Sequence, residues 1–177
     1  MTRYLFNILK TRNKNIFLFL LLTIVLSSCG AYSFTGASIP PNIKTIRISS
    51  FPNQSTGGPG NLSQVFSEQF RNKIIRETNL SLVNQNADIE FNGAITNYSV
   101  QGLSPTAGQT TALNRLSVSV RVEYVDFQNE KNSWNQNFTR YADFDSSQSL
   151  SDVEENLVSE INQQLVDDIF NRAFANW

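Results

Sequence analysis

The chain has 177 residues, with 14 lysines and arginines against 15 aspartates and glutamates, one cysteine and no histidine. Without histidine, Ser-His-Asp and Cys-His nucleophile arrangements, His-ligated zinc and imidazole acid–base catalysis are excluded. The balanced charge supplies no concentrated positive field for nucleic acid, and a single cysteine allows no internal disulfide.

The chain opens with Arg3, Lys10, Arg12 and Lys14, then an apolar run from Ile16 to Leu26, then Ser27-Ser28-Cys29. That is the order of a secretory signal: a charged segment, a short apolar segment and a small-residue cleavage site. The apolar run is 11 residues long, whereas a spanning helix needs roughly 20, so this segment exports the chain without holding it in a bilayer. Apolar residue, small residue, small residue, cysteine resembles the lipobox of bacterial lipoproteins. The resemblance implies removal of residues 1–28, a diacylated Cys29 thiol and an acylated Cys29 amino group. The alternative is an ordinary signal peptide followed by a chance cysteine. Cleavage before Cys29 leaves 149 residues, enough for one domain with a real core, and a formal charge of −5. A lipidated Cys29 is neither nucleophile nor metal ligand.

Residues 30–42 are rich in small residues, end in Pro40-Pro41-Asn42 and read as a tether between lipid and domain. Their extended reach is at most about 43 Å. Ile43, Ile46, Ile48 and Phe51 mark a first short strand, and Pro52 to Gly60 reads as a loop. Asn61 with Gln64 fits the start of a helix as a variant capping box. Its apolar stripe is Leu62, Val65, Phe66, Phe70, Ile74 and Ile75. A second strand region begins at Leu80-Ser81-Leu82-Val83 and continues from Asp88 to Val100. Ile89, Phe91 and Ile95 share one parity but Tyr98 and Val100 take the other, which predicts a bulge or bend near Thr96-Asn97.

Leu116, Val118, Val120, Val122 and Tyr124 alternate with Ser117, Ser119, Arg121 and Glu123, predicting a strand with one buried and one wet face. Trp134, Phe138 and Tyr141 mark a further strand ending near Phe144. Ser151-Asp152-Val153-Glu154 reads as the capping box of a long final helix, with Val153, Leu157, Ile161, Leu165 and Ile169 along its apolar stripe. The order β-α-β-β-β-α predicts an α+β two-layer sandwich. Two helices pack on one face of a mostly antiparallel four-stranded sheet, in a single domain over residues 43–177.

Several stretches together resemble a known family: Cys29 to Gly36, Ser38-Ile39-Pro40, Lys44-Thr45-Ile46, Asn114-Arg115-Leu116, Tyr141 to Asp145 and Ile169 to Trp177. They are similar to the lipopolysaccharide-assembly lipoproteins of the LptE type, in the form found in Bacteroidetes-like bacteria. The resemblance implies an outer-membrane lipoprotein facing the periplasm, without enzymatic activity and with no cofactor beyond the lipid on Cys29. It further implies a large β-barrel partner of the LptD type, plugged by the lipoprotein, and assistance in delivering lipopolysaccharide to the cell surface. From the residues alone, a second reading stays open: a membrane-tethered binding module or an auxiliary lipoprotein of an ABC-type exporter.

Five residues are candidates for contact with the barrel or with lipopolysaccharide. Thr106 and Gln109 lie in the uncharged stretch from Gln101 to Ala112, while Asn114, Arg115 and Arg121 lie on the strand after it. Arg115 could meet a lipid phosphate through its planar fork; the bland alternative is a hairpin tip with Arg115 on the wet face of its strand. Arg121 and Arg140 are the expected cations of the polar strand face. Asp143 to Glu154 places oxygens at several positions of a calcium loop. However, Gln148 stands where the turn needs glycine and a strand precedes it, so no metal is expected. Asp167-Asp168 reads as a solvated edge, since adjacent helical positions point in different directions.

Overall fold

The computed structural model describes residues 39–104 and 112–175. In chain order they form β1 (Thr45–Ile48), α1 (Leu62–Glu77), β2 (Ser81–Leu82), β3 (Ile89–Leu103), β4 (Leu113–Asp126), β5 (Trp134–Asp145) and α2 (Leu150–Phe174). A single 3₁₀ turn, Glu130–Asn132, lies between β4 and β5. The strands make one mixed sheet in the order β2-β1-β3-β4-β5. β1 runs parallel to both of its neighbours, while β3, β4 and β5 form an antiparallel meander.

The two-layer α+β plan is as expected, but the sheet has five strands instead of four. The region read as one strand after the first helix is two, β2 and β3, on opposite sides of β1. Residues 84–88 carry the chain across, with Asn86 at φ 53°. Polar residues of that crossing, Asn84, Gln85 and Asn86, favour a turn and cannot prolong a buried ladder. Asp88 then fixes the start of the sheet: its carboxylate accepts from the Lys44 and Thr45 backbone N–H groups at 2.9 Å and from the Thr45 hydroxyl at 2.8 Å.

The bulge is where parity placed it. The β3–β4 register slips between Ile95 and Asn97, leaving Thr96 out of the ladder. Before it, Phe91 and Ile95 face the helices; after it, Tyr98 and Val100 do so.

Helix positions are also as expected at the core. Phe66, Phe70 and Ile74 of α1 and Leu157, Ile161 and Leu165 of α2 are buried with Val118, Val120 and Val122 of β4. Phe51, beyond the end of β1, is fully buried and packs edge-on against Phe66 and Phe70, at centroid distances of 5.2 and 5.7 Å. Ile75, expected in the apolar stripe, is half exposed, since it stands about 100° round the helix from Ile74.

The two helices run in the same direction. Asn61 and Val65 lie against Ser151 to Ser159 at one end, and Lys73 meets Asp167 at 2.8 Å at the other. Val158, Asn162 and Val166 of α2 share the side that faces α1. Asn162 is fully buried there, with no hydrogen-bond partner for either amide atom.

Neither capping box forms. Asn61 stands at the N-cap of α1 without a side-chain cap bond, and Gln64 donates to Glu68 at 3.0 Å. α2 starts two residues early, with Ser149 as N-cap and Ser151 inside the first turn. Glu154 is drawn away from capping by the Tyr98 hydroxyl, which donates to it at 2.5 Å. The loop 52–60 packs against β3, where Asn53 bridges to Ile95. Gly58 sits there at φ +98°, with Tyr98 and Leu62 crowding its α-carbon, so a side chain is disfavoured both by backbone and by space.

Candidate functional site

Both helices lie on one side of the sheet, and among the described residues nothing covers the other side. Its composition follows from strand parity. The odd residues of β4 and β5 point away from the helices, and their β3 partners across the ladder share that face. β3 contributes Asn92, Asn97, Ser99 and Gln101. β4 contributes Arg115, Ser117, Ser119, Arg121 and Glu123, and β5 contributes Asn135, Asn137, Thr139, Tyr141 and Asp143. Most of these are neutral hydroxyls and amides.

They bond laterally. Ser119 and Thr139 share a hydrogen bond of 2.8 Å, and Asn97 donates to Ser99 at 3.1 Å. Near the end away from β1, Arg115 forms a two-pronged pair with Asp143 at 2.7 and 2.8 Å. Its guanidinium also lies 3.6 Å from the centre of the Tyr141 ring. The Asp143 carboxyl is held below its ordinary range by the Arg115 hydrogen bonds. At the opposite corner Arg47 pairs with the buried carboxylate of Glu90.

The candidate residues divide in four ways. Cys29, Thr106 and Gln109 lie outside the described residues. Arg115 and Arg121 both stand on the open face, but at opposite halves of β4. Arg115 is committed to Asp143 and Tyr141, so it is no free fork for a phosphate; Arg121 is exposed and has no ion pair among the described residues. Asn114 has the other parity and faces Gly102 and Phe144 across the ladder.

Arg140 also proves to be off the open face. It points to the helix side and clasps Asp168 at 2.5 and 2.7 Å. The neighbouring Asp167 meets Lys73, so the two aspartates are not a bare solvated edge: they tie α2 to β5 and to α1. Sequence reasoning missed Tyr141 as a surface residue, grouping it with Trp134 and Phe138. Its odd number was the available signal, because those two are even and face inward.

The stretch tested for calcium is dispersed. Asp143 bonds Arg115, Asp145 accepts from the Ser147 backbone at 2.8 Å and from its hydroxyl at 2.6 Å, and Glu154 bonds Tyr98. The described residues contain no group of three or more histidine, cysteine or acidic side chains placed to hold a metal ion. No helix among them is long and apolar enough to cross a membrane. The stretch expected to form the loop is shorter than its composition suggested, since Gln101 to Leu103 still belong to β3.

The described residues thus form a two-layer domain with a polar, laterally bonded sheet face left uncovered. The LptE family model, whose description is lipopolysaccharide assembly, matches residues 43–173, and the chain belongs to that family. Similar solved structures include protein XCC0632 from Xanthomonas campestris, at TM-score 0.50 and 9% identity over 77% of this chain and 90% of that one. Uncharacterized lipoprotein B from Nitrosomonas europaea has TM-score 0.48 and 16% identity over 80% and 86% of the two chains. Rare lipoprotein B from Shewanella oneidensis has TM-score 0.43 and 18% identity over 71% and 91%. The chain has no match among curated protein sequences.

Proposed function

We propose that this chain is an outer-membrane lipoprotein, anchored through lipid on Cys29 at the periplasmic face, that plugs a large β-barrel of the LptD type. In that position it helps the barrel assemble and pass lipopolysaccharide to the surface, and it works by binding, without catalysis. The observation that carries the reading is the open sheet face. The face is a broad ladder of neutral hydroxyls and amides with few free charges. Such a ladder is well matched to the wet, polar interior wall of a large barrel, where each side chain can exchange hydrogen bonds without burying an ion. Membership of a lipopolysaccharide-assembly family supports the same reading.

Photo-crosslinkers at Ser119 and Arg121 test it in living cells, with Thr106 and Gln109 as further positions. The expected result is capture of one large outer-membrane barrel from the open face. If no position captures a barrel, and the lipoprotein instead co-purifies with an inner-membrane ATPase complex, the exporter-auxiliary reading replaces this one. Anchoring is tested separately. Cys29→Ala should leave a folded domain that no longer fractionates with the outer membrane after a high-salt wash in cells lacking the barrel, because stable anchoring takes more than one acyl chain. Retention under those conditions refutes the lipid anchor.

A further inference from the structure

Much of the open face is made of short side chains. Ser99, Ser117, Ser119 and Thr139 lie side by side across β3, β4 and β5, and each hydroxyl can exchange bonds with water or with any polar neighbour. Contacts of that kind are interchangeable, so they let a face lie against a wall without fixing where it lies. Tyr141 breaks the pattern. Among the described residues the exposed large apolar and aromatic side chains are Ile75, Leu82, Val100, Phe127 and Tyr141. Ile75 is on α1, and Leu82 pairs with the inward Ile46. Val100 lies on the helix side after the bulge, and Phe127 lies beyond the end of β4. Tyr141 alone of the five stands on the open face.

The ring is also held. The Arg115 guanidinium lies over it at 3.6 Å from the ring centre, and Asp143 grips Arg115 through Nε and Nη2 at 2.7 and 2.8 Å. The register sets this arrangement. Arg115 is paired with Asp143 and Ser117 with Tyr141, so Arg115 reaches its ring partner diagonally across the ladder. Ser117, directly opposite the ring, is too short to cover it, and Tyr141 stays half exposed. The pair with Asp143 leaves the Arg115 Nη1 hydrogens unused by that carboxylate. A tyrosine with two side-chain torsions and an arginine already stacked and paired have little freedom left to lose on contact. Arg121, an exposed cation on a long stem, has most of its own still to lose.

We propose that the Tyr141–Arg115–Asp143 stack is the anchor that fixes the position of the open face on the inner wall of the barrel, with Tyr141 seated in a recess of that wall. The proposal rests on the barrel reading above. Protein interfaces concentrate their binding energy in a few tyrosines, tryptophans and arginines, set among contacts that are close to neutral in energy and exclude water. The stack supplies the tyrosine and the arginine, and the surrounding hydroxyls supply the neutral rim. Asp143 balances Arg115, so the stack brings no unpaired ion to be stripped of water. For the same reason it has no open fork for a lipid phosphate, and a phosphorylated glycolipid fits it less well than a protein wall. The recess that fits has small side chains beside the ring and an acceptor for the phenol or for Arg115 Nη1.

The full-length lipoprotein with its lipid, purified with its barrel, is the material for the test. Tyr141→Ala should lower recovery of the barrel by at least about tenfold. Arg115→Lys keeps the charge but loses the planar fork, and should lower it by about fivefold. Asn137→Ala and Arg121→Ala, on the same face but outside the stack, should stay within about twofold. Nitration with tetranitromethane, followed by peptide mapping, supplies a readout that needs no variant. Tyr141 should be nitrated quickly in lipoprotein from cells lacking the barrel and be protected in the complex. Tyr98 and Tyr124, which are less exposed, should react slowly in both. The anchor is overturned if Tyr141→Ala retains the barrel within about twofold of wild type, if Asn137→Ala loses it as fully, or if Tyr141 is nitrated equally with and without the barrel. Wild type that recovers no barrel overturns the barrel reading, and the anchor with it. Protection of Tyr141 by purified lipopolysaccharide in the absence of barrel assigns the stack to the glycolipid and overturns the partner proposed.

Discussion

Replacing Gly93 with alanine tests the packing at the centre of the sheet. Gly93 lies in β3 opposite Val122, on the face toward the helices. A Cβ built there would stand 2.3 Å from the Arg121 carbonyl oxygen and 2.4 and 2.8 Å from two carbons of the Phe51 ring. Neither neighbour can give way cheaply. The carbonyl belongs to the middle of the β3–β4 ladder, and the ring is wedged between Phe66 and Phe70. At an unstrained site the same substitution would stabilise by about 0.4–1 kcal/mol, because it restricts the unfolded chain. Overpacking usually costs about 1–3 kcal/mol, and a collision with main chain lies at or above the top of that range. For a domain of this size each kcal/mol shifts Tm by about 2–4 °C, so Gly93→Ala should lower it by roughly 6–12 °C. Thermal unfolding of a soluble form beginning after Cys29, followed by circular dichroism, measures this. Phe51→Leu in the same chain relieves the ring but not the carbonyl, so a double-mutant cycle should recover only part of the loss. A fall of under about 2 °C, or any rise, refutes the stated packing of Phe51 on Gly93.

Three further substitutions address the core, the helix seam and the start of the sheet. Phe70→Ala should cost about 3–5 kcal/mol by unfolding in urea, since Phe70 is fully buried and its ring meets Phe51 and Phe91; a loss under about 1 kcal/mol would place it at the surface. Asn162→Leu should raise stability by about 1–3 kcal/mol by removing a buried amide with no partner; a fall in Tm would show that the amide is hydrogen-bonded in solution. Asp88 has its pKa lowered from 3.8 to about 2, first by the Lys44 backbone N–H and then by Thr45. Its folded value lies below its unfolded one, so its contribution is complete above 3.8 and is lost as pH falls toward about 2. Asp88→Asn should flatten the Tm profile across that window, and an unchanged slope would assign the acid sensitivity to other carboxylates.

Much of this was legible because it rests on periodicity. The alternation of Leu116 to Tyr124 fixed the orientation of the longest regular strand, and the parity slip after Ile95 located the bulge. The helical spacing of Phe66, Phe70 and Ile74, and of Leu157, Ile161 and Leu165, identified both buried stripes. What parity could not show was pairing. A two-residue strand such as Ser81–Leu82 carries no period of its own, and only its bonds to β1 make it a strand. The capping boxes failed for a related reason. A capping serine or glutamate is one option for that side chain, and Tyr98, 56 positions away in the chain, offers Glu154 a better one. The candidate surface was half legible: Arg115 and Arg121 were found as wet-face cations, but the Asp143–Arg115–Tyr141 cluster depends on the β4–β5 register. Arg140 was the opposite case: its even number, shared with Trp134 and Phe138, already marked the inward face.

The distribution of charge explains how one domain can present a face that is polar without being repulsive. The cations of the last three strands could all have stood on the open sheet. Instead Arg140 turns inward to Asp168, and Arg172 lies over the Trp134 ring at 5.2 Å beside Gln136, so both strengthen the attachment of α2 to the edge strand. Lys73 does the same between the two helices. On the open face Arg115 is neutralised by Asp143, and only Arg121, flanked by Ala94 and Asn137, stands without an ion pair among the described residues. Of the ion pairs among the described residues, those of Lys73 and Arg140 lie on the helix side, away from the open face, while Arg115–Asp143 and Arg47–Glu90 lie on it. Under the proposed function, seating this face on a barrel wall would mostly exchange water for neutral donors and acceptors, with Arg121 and Glu123 the exposed charges left to accommodate. Under the proposed function, the domain would act as a plug that forms many weak, interchangeable contacts through this face, while helix-side ion pairs help hold its own fold.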